Sequence, residues 1–264
     1  MLSFWKYHGA GNDFVLLDVS LSTLCVDLSD LARRLCDRRY GIGADGLLLV
    51  LPSTTANSRM RIFNADGSEP AMCGNGIRCF ASYIFKRDHC SEAMIETNHS
   101  ILRCRRFEDE IAVDLGIPEV FLWEYPFQNT ELYWVNTGVP HAVFFVDELD
   151  KIPLNQRARE IRFDPLFAPQ GTNVNFVSLT SEGNLAVRTY ERGVEAETLA
   201  CGTGAAATAF VAAKVKNLSS PIAIQTRSSL SEIAFHSQLR FLITEKSLEM
   251  IGPAHEVFSG MVSF

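Results

Sequence analysis

The sequence predicts a mixed α+β fold of two pseudo-symmetric domains, each a mostly antiparallel sheet or barrel wrapped around one buried central helix. Three observations carry this expectation. Two segments echo each other. One runs from Arg61 through Asn64 and Gly67 to Cys73-Gly-Asn-Gly76, the other from Arg188 through Glu191 and Gly193 to Cys201-Gly-Thr-Gly204. Each is a strand-like stretch, a polar glycine-containing turn, Cys-Gly-x-Gly and then an apolar helix. The second of these helices, Gly202 to Lys216, is apolar nearly all round, and a helix without a polar face is a buried one. Finally, the 264 residues allow two domains of ordinary size. The expected division is 1–116 plus about 253–264, and 117–252, with the reactive site between the domains.

The elements follow in order. After the turn His8-Gly-Ala-Gly-Asn12 comes an apolar strand, Phe14 to Leu17. Asp27 to Arg39 has helical periodicity through Leu28, Leu31, Ala32 and Leu35. Leu47–Leu51 and Arg59–Phe63 read as strands, Gly74–Lys86 as a helix, and Met94–Thr97, Ile101–Arg105 and Ile111–Leu115 as further strands. Gly116-Ile-Pro118 marks the boundary. The second half repeats the order: strands Leu132–Asn136 and Ala142–Val146, a short helix Arg157–Arg162, strands Asn173–Leu179 and Leu185–Tyr190, the apolar helix, then strands Ile222–Thr226 and Leu239–Thr244. His255–Phe264 reads as a strand that returns to the first domain.

Composition excludes several classes. The formal net charge is −7 and no basic run of five or more occurs, which argues against a nucleic-acid surface. The longest apolar stretches are far too short to span a membrane, and no secretory signal is visible. The seven cysteines (Cys25, Cys36, Cys73, Cys79, Cys90, Cys104 and Cys201) are odd in number and irregular in spacing. They read as reduced thiols of a cytoplasmic protein rather than a disulfide framework.

Cys73 and Cys201 each stand just ahead of a helix. Exposed N–H groups and the macrodipole stabilise an anion there, so each thiol is expected to have a usable thiolate fraction. The same N–H groups suit a carboxylate, and the glycines allow close approach of the backbone. A lone cysteine is usually a small core residue, but the repeated Cys-Gly-x-Gly context favours activated thiols. Two such thiols around one carboxylate suit proton abstraction at the α-carbon from one face and return from the other. That is racemisation or epimerisation without a cofactor or metal.

The chain resembles the diaminopimelate epimerases. The resemblance is carried by His8-Gly-Ala-Gly-Asn-Asp-Phe14, Phe63-Asn-Ala-Asp-Gly-Ser68, Cys73-Gly-Asn-Gly-x-Arg-Cys79, Pro140-His141, Thr172-Asn-Val-Asn-Phe176, Tyr190-Glu-Arg-Gly193, Glu197-Thr-Leu-Ala-Cys-Gly-Thr-Gly204 and Gly252-Pro-Ala254. It implies that Cys201 accepts the α-proton of the L,L substrate while Cys73 donates to the other face, with roles swapped in reverse. Gly74 and Asn75, with Gly202 and Thr203, would hold the reacting carboxylate. Asn12, Asn64, Asn173 and Arg192 would hold the substrate elsewhere, Arg192 through a bidentate grip on the distal carboxylate. Glu191 and His141 would sit beside the thiols. The resemblance also implies a small amino-acid substrate and a homodimer.

Three departures from the family pattern stand out. Val139 replaces an asparagine, Gly46 replaces a glutamine, and the loop from Glu191 to Cys201 is one residue longer through Val194-Glu-Ala196. The first two remove amides that would hold substrate, so relaxed selectivity is expected, with racemisation of glutamate or aspartate as the alternative activity. Gly41-Ile-Gly-Ala-Asp-Gly46 matches a dinucleotide fingerprint but precedes a strand instead of following one, which defeats that reading. A zinc site from Cys73, Cys79, His89 and Cys90 lacks zinc spacing. A thiol–disulfide protein built on Cys73 and Cys201 is the remaining rival.

Overall fold

The computed structural model describes residues 1–19, 26–70, 72–180, 183–198, 200–227 and 238–263. Cys25, Ala71 and Leu199 of the motifs above, and the terminal Phe264, lie outside them. The fold is mixed α+β. The chain divides into two compact units, Met1–Val113 with Gly252–Phe264, and Asp114–Ile251.

The first unit holds β1 (Leu2–Gly9), β2 (Asn12–Asp18), α1 (Leu28–Cys36), β3 (Gly46–Leu51), β4 (Ser58–Asn64), α2 (Gly74–Arg87), β5 (Glu92–Glu96), β6 (Ile101–Phe107) and β7 (Glu110–Asp114). The second holds β8 (Glu119–Phe127), β9 (Thr130–Asn136), β10 (Pro140–Phe145), α3 (Leu154–Arg162), β11 (Asn173–Leu179), β12 (Leu185–Glu191), β13 (Ala196–Thr198), α4 (Gly202–Val215), β14 (Ile222–Gln225), β15 (Leu239–Ile243) and β16 (Leu248–Gly252). The last strand, β17 (His255–Val262), pairs antiparallel with β1 in the first unit, with Leu2 opposite Val262.

Each unit has the same internal order of pairings. In the first, β17–β1 and β1–β2 are antiparallel, β2–β3 parallel, β3–β4 antiparallel, β4–β5 parallel, and β5–β6 and β6–β7 antiparallel. In the second, β8–β9 and β9–β10 are antiparallel, β10–β11 parallel, β11–β12 antiparallel, β12–β14 parallel, and β14–β15 and β15–β16 antiparallel. The crossovers match too. A parallel pair needs a connection long enough to hold a helix, and α1 and α3 fill the first of these while α2 and α4 fill the second.

Burial explains the sequence pattern. Leu47–Val50 of β3 are fully buried, because α1 covers one face and α2 packs against the other. A strand buried on both sides reads as a continuous apolar run, not an alternating one. Helix α1 starts where the Asp27 carboxylate accepts from Asp30 N at 2.8 Å. Helix α4 is buried from Gly204 to Ala212, with alanine at five of those positions, which lets the strands of its unit approach closely on all sides. Four strands were not anticipated: β1, β8, β13 and β16. β1 mixes Lys6 with aromatics, and Lys6 is buried because it is paired, not because it is apolar. β8 is largely exposed, so it lacks the apolar alternation that marks a strand. No helix among the described residues is long and apolar enough to cross a membrane.

Candidate active site

Both motif cysteines are the N-caps of the central helices. Cys73 has φ −140° and ψ 113° and its sulfur accepts from Gly76 N at 3.4 Å; Cys201 has φ −121° and ψ 108° and accepts from Gly204 N at 3.4 Å. A side chain at this position takes up one of the free N–H groups of the first turn. The thiols therefore sit where developing negative charge is stabilised, and the two units arrive at that geometry separately.

In the first unit, Cys73 Sγ donates to Asn12 Oδ1 at 3.7 Å, and Asn75 Nδ2 donates to the same oxygen at 3.3 Å. Asn12 Nδ2 is held by the Asp45 carboxylate at 2.8 Å. Asn75 Oδ1 accepts from Arg78 Nη2 at 2.7 Å. Arg78 is fully buried and also donates to Gly74 O at 3.0 Å and Pro253 O at 3.3 Å. Burial pulls its pKa down, and the neighbouring Cys79 and Cys73 oppose that. Around Asp45 lies an ion cluster. Asp13 is paired with Lys6 at 2.7 Å and with Arg38 at 2.7 Å, and Arg38 reaches Asp45 at 3.0 Å. Burial would raise the Asp13 carboxyl, but the bonds from Arg38 and Lys6 hold it well below the usual range. Asn64 sits at the end of β4 and binds Ser68 Oγ at 2.9 Å; it is exposed.

In the second unit, Thr203 Oγ1 lies 3.5 Å from Cys201 Sγ and 2.9 Å from His141 Nε2. His141 is fully buried, and its Nδ1 is 3.1 Å from Asn175 Nδ2. Asn175 Nδ2 also donates to Ala142 O at 3.1 Å, while its Oδ1 accepts from Thr189 Oγ1 at 2.9 Å. The carbonyl of Ala142 can only accept, so the amide nitrogen faces it and His141 Nδ1 must accept in turn. The proton of neutral His141 is then on Nε2, pointing at Thr203. Burial, with the charge of Arg192 adding to it, lowers the His141 pKa to about 3. His141 is therefore neutral at physiological pH. Thr203 links it to Cys201.

Glu191 ends β12, and its carboxyl accepts from Thr198 Oγ1 and from Cys201. Burial raises its pKa, and those two bonds offset part of the rise. Asn173 Oδ1 accepts from Arg192 N at 2.9 Å, and its Nδ2 donates to Pro140 O at 2.9 Å. Arg192 Nη1 touches Gln170 O at 3.4 Å. The long loop after Glu191 closes as a turn, Glu195 N to Glu191 O at 2.8 Å, followed by β13. So the structure gathers His141, Thr203, Glu191 and Gly202 around Cys201, and Asn12, Gly74 and Asn75 around Cys73. Asn173, at the start of β11, is tied to Arg192.

Sequence reasoning missed Asp45, Arg78 and Asn175. All three stood inside motifs already singled out: Arg78 within Cys73–Cys79, Asn175 within Thr172–Phe176, and Asp45 within the rejected glycine-rich segment. That segment folds back on the end of α1, with Ile42 N and Gly43 N on Leu35 O at 2.9 and 3.0 Å and Ala44 N on Cys36 O at 3.0 Å. Cys79, considered as a zinc ligand, is fully buried in α2, where burial pushes its thiol up.

The buried, neutral His141 has a thermodynamic consequence. Its folded pKa lies below the unfolded value of roughly 6.5, so between these values the unfolded chain binds the extra proton. Stability then rises with pH across that window and is lost as pH falls from about 6.5 towards about 3. Urea unfolding at neutral and acidic pH is expected to show a smaller acid-induced loss in His141→Asn than in the parent protein. An equal loss in both would contradict the assignment.

The sequence profile of the diaminopimelate epimerases matches residues 4–120 and 133–255. The chain belongs to the diaminopimelate epimerase family. It is 39% identical to the diaminopimelate epimerase of Archaeoglobus fulgidus, over 99% of this chain and 96% of that protein. It is 41% identical to that of Methanothrix thermoacetophila, over 99% of this chain and 96% of that protein. Solved structures share the fold at low identity. A phenazine biosynthesis protein of the PhzF family from Bacillus anthracis matches with TM-score 0.70 at 16% identity, covering 100% of this chain and 99% of that one. A hydroxyproline epimerase from Agrobacterium vitis, solved with trans-4-hydroxy-L-proline, matches with TM-score 0.65 at 15% identity, covering 98% and 91%. The positions of Gly46 and Val139 have structural context here. A Cβ on Gly46 would meet Phe63 O at 2.8 Å and the Phe14 ring at 3.3 Å. A side chain there requires β3 and β4 to shift. Val139 is half-buried between Gly138 and Pro140.

Proposed function

We propose that this chain is a diaminopimelate epimerase, an isomerase that interconverts the L,L and meso forms on the way to lysine. The observation that supports it is the family match, joined to two helix-capping cysteines in repeated Cys-Gly-x-Gly contexts. In the forward direction Cys201 takes the proton from Cα of the L,L substrate, and Cys73 delivers one to the opposite face. The N–H groups at the two helix starts, at Gly74 and Asn75 and at Gly202 and Thr203, carry the charge that builds on the α-carboxylate as the proton leaves. Glu191 accepts from Cys201, and its raised pKa suits a group that exchanges a proton with a thiol. Arg192 and the asparagines hold the distal end. No cofactor takes part in this scheme, and the working form is a homodimer in the cytoplasm.

The test is incubation with L,L-diaminopimelate in deuterated water without added metal or cofactor. Formation of the meso isomer with deuterium at one Cα is expected. Absence of exchange at high enzyme concentration would refute the assignment. Light scattering at micromolar protein should give the mass of two chains.

The substitutions at Val139 and Gly46 leave fewer polar groups to go unpaired when a substrate lacks its second amino group. Slow deuterium exchange into glutamate or aspartate is therefore expected beside the main activity. Val139→Asn should sharpen the preference for diaminopimelate by about 1–3 kcal/mol, the cost of one buried unsatisfied group. Unchanged kcat/KM ratios in that variant would end the relaxed-selectivity idea. Gly46→Gln is the poorer test, because its Cβ has no room without movement of β3.

A further inference from the structure

Two asparagine amides stand between charged groups in the first unit, and each has one possible orientation. A carboxylate only accepts hydrogen bonds and a guanidinium only donates them. Asp45 therefore draws Asn12 Nδ2 to itself at 2.8 Å, and Arg78 draws Asn75 Oδ1 to itself at 2.7 Å. What remains is a directed chain: Arg78 donates to Asn75, Asn75 to Asn12, and Asn12 to Asp45. The carbonyl oxygen of Asn12 is thereby left facing Cys73 Sγ at 3.7 Å. Asp45 is itself fixed, by Arg38 at 3.0 Å on one oxygen and by Asp13 N at 3.2 Å on the other, and its own N–H bonds Asp13 O at 3.0 Å.

We propose that Asp45 is a positioning residue for Cys73, acting through the Asn12 amide. It keeps the Asn12 amide turned so that an acceptor faces the sulfur beside the Gly76 N–H donor, and so helps hold the proton on Cys73 until it is delivered. This rests on the reading of Cys73 as one of the two proton-carrying thiols. The other charged or titratable groups around Cys73 are Arg78 and Cys79 on its own helix, and Lys6, Asp13 and Arg38 behind Asp45. Arg78 favours the thiolate by its charge. The Asn12 carbonyl, in hydrogen-bond reach of the sulfur, opposes it. When Asp45 is lost, only the 3.3 Å bond from Asn75 Nδ2 still holds the Asn12 carbonyl in place; Asn12 can then turn its NH2 toward the sulfur at the cost of that one bond, and the thiolate gains a donor.

The experiment titrates Cys73 by ultraviolet thiolate absorbance, taking each protein minus its own Cys73→Ser derivative, without substrate. Asp45→Ala is expected to raise the acid dissociation constant of Cys73 roughly three- to tenfold, as a hydrogen bond to the charged form does. In an Asn12→Ala background the same substitution should have little further effect, since the two act as one unit. An unmoved midpoint in Asp45→Ala overturns the proposal. So does an equal shift in the Asn12→Ala background, which would mean that the Asp45 charge acts directly. Asp45 is about half exposed (48%), so its loss should be tolerated. Should the alanine variant not fold, Asp45→Leu, which keeps the bulk and removes both acceptor oxygens, carries the same expectations. Turnover with diaminopimelate, measured separately, keeps a failure of the epimerase reading distinct from a failure of this one.

Discussion

Replacing Cys73 or Cys201 by serine is expected to lower epimerisation by about 10²–10⁴-fold, the usual contribution of one general acid or base. The helix starts should survive, because both cysteines are N-caps and serine is a good N-cap. The loss therefore belongs to chemistry and not to folding. A serine hydroxyl is far too weak an acid to hold or release a proton at neutral pH, while a thiol at a helix start can do both. Each single variant should still eliminate a leaving group from a suitable substrate analogue, since that step needs one base. Unfolding curves like those of the parent protein, with chiral analysis of product, separate the cases. If either variant keeps most of its turnover, the two-thiol mechanism is wrong.

The second large effect concerns Gly204. The first turn of α4 passes directly over the Asn175–His141 pair. A Cβ at Gly204 would lie 2.4 Å from Asn175 Oδ1, 3.2 Å from Thr189 Oγ1 and 3.3 Å from His141 Cε1. Asn175 cannot give way without releasing Ala142 O and the His141 ring. Gly204→Ala should therefore cost about 1–3 kcal/mol as overpacking. It should also shift the Cys201 helix start and remove most activity. Gly76 holds the equivalent place in α2, yet a Cβ there meets the Ile62 and Leu48 methyl groups at 3.1 and 3.3 Å and Cys73 Cβ at 3.4 Å. Side-chain methyls adjust more readily than a bonded amide, and alanine gains about 1 kcal/mol in helix propensity over glycine. Gly76→Ala should be near neutral. Urea unfolding and turnover of the pair check this; equal behaviour of the two variants would contradict it.

The fold was legible where burial follows periodicity. The apolar run of β3, the amphipathic α1 and the all-apolar α4 each announced both type and environment. It was hidden where a strand is exposed, as in β8, or where a buried position is polar but paired, as Lys6 is in β1. The repeat was readable from two cysteine motifs, while the equality of strand pairings, including the parallel steps β2–β3 and β10–β11, needed coordinates. At the candidate site the cysteines, Asn75 and Thr203 fell where the helix-start argument put them. The partners behind them did not. Asp45, Arg78 and Asn175 act by choosing which end of an amide or ring faces forward, and residue identity alone does not reveal direction. His141 shows the same limit: its motif marked it, but which ring nitrogen faces Thr203 is a matter of geometry.

The pairing of β17 with β1 also bears on how the molecule is made. Residues 114–251 form one unit from an unbroken stretch of chain, whereas the other unit needs residues from both ends. On the ribosome the middle of the chain can reach its native pairings first. The earlier-emerging residues must wait with the β1 edge unfilled until β17 emerges. Pairings this distant in sequence carry the larger loop-closure entropy and form slowly. Removal of residues 252–264 would thus injure the unit built mostly from residues 1–113, and a nascent chain stalled before them would expose an open strand edge at β1.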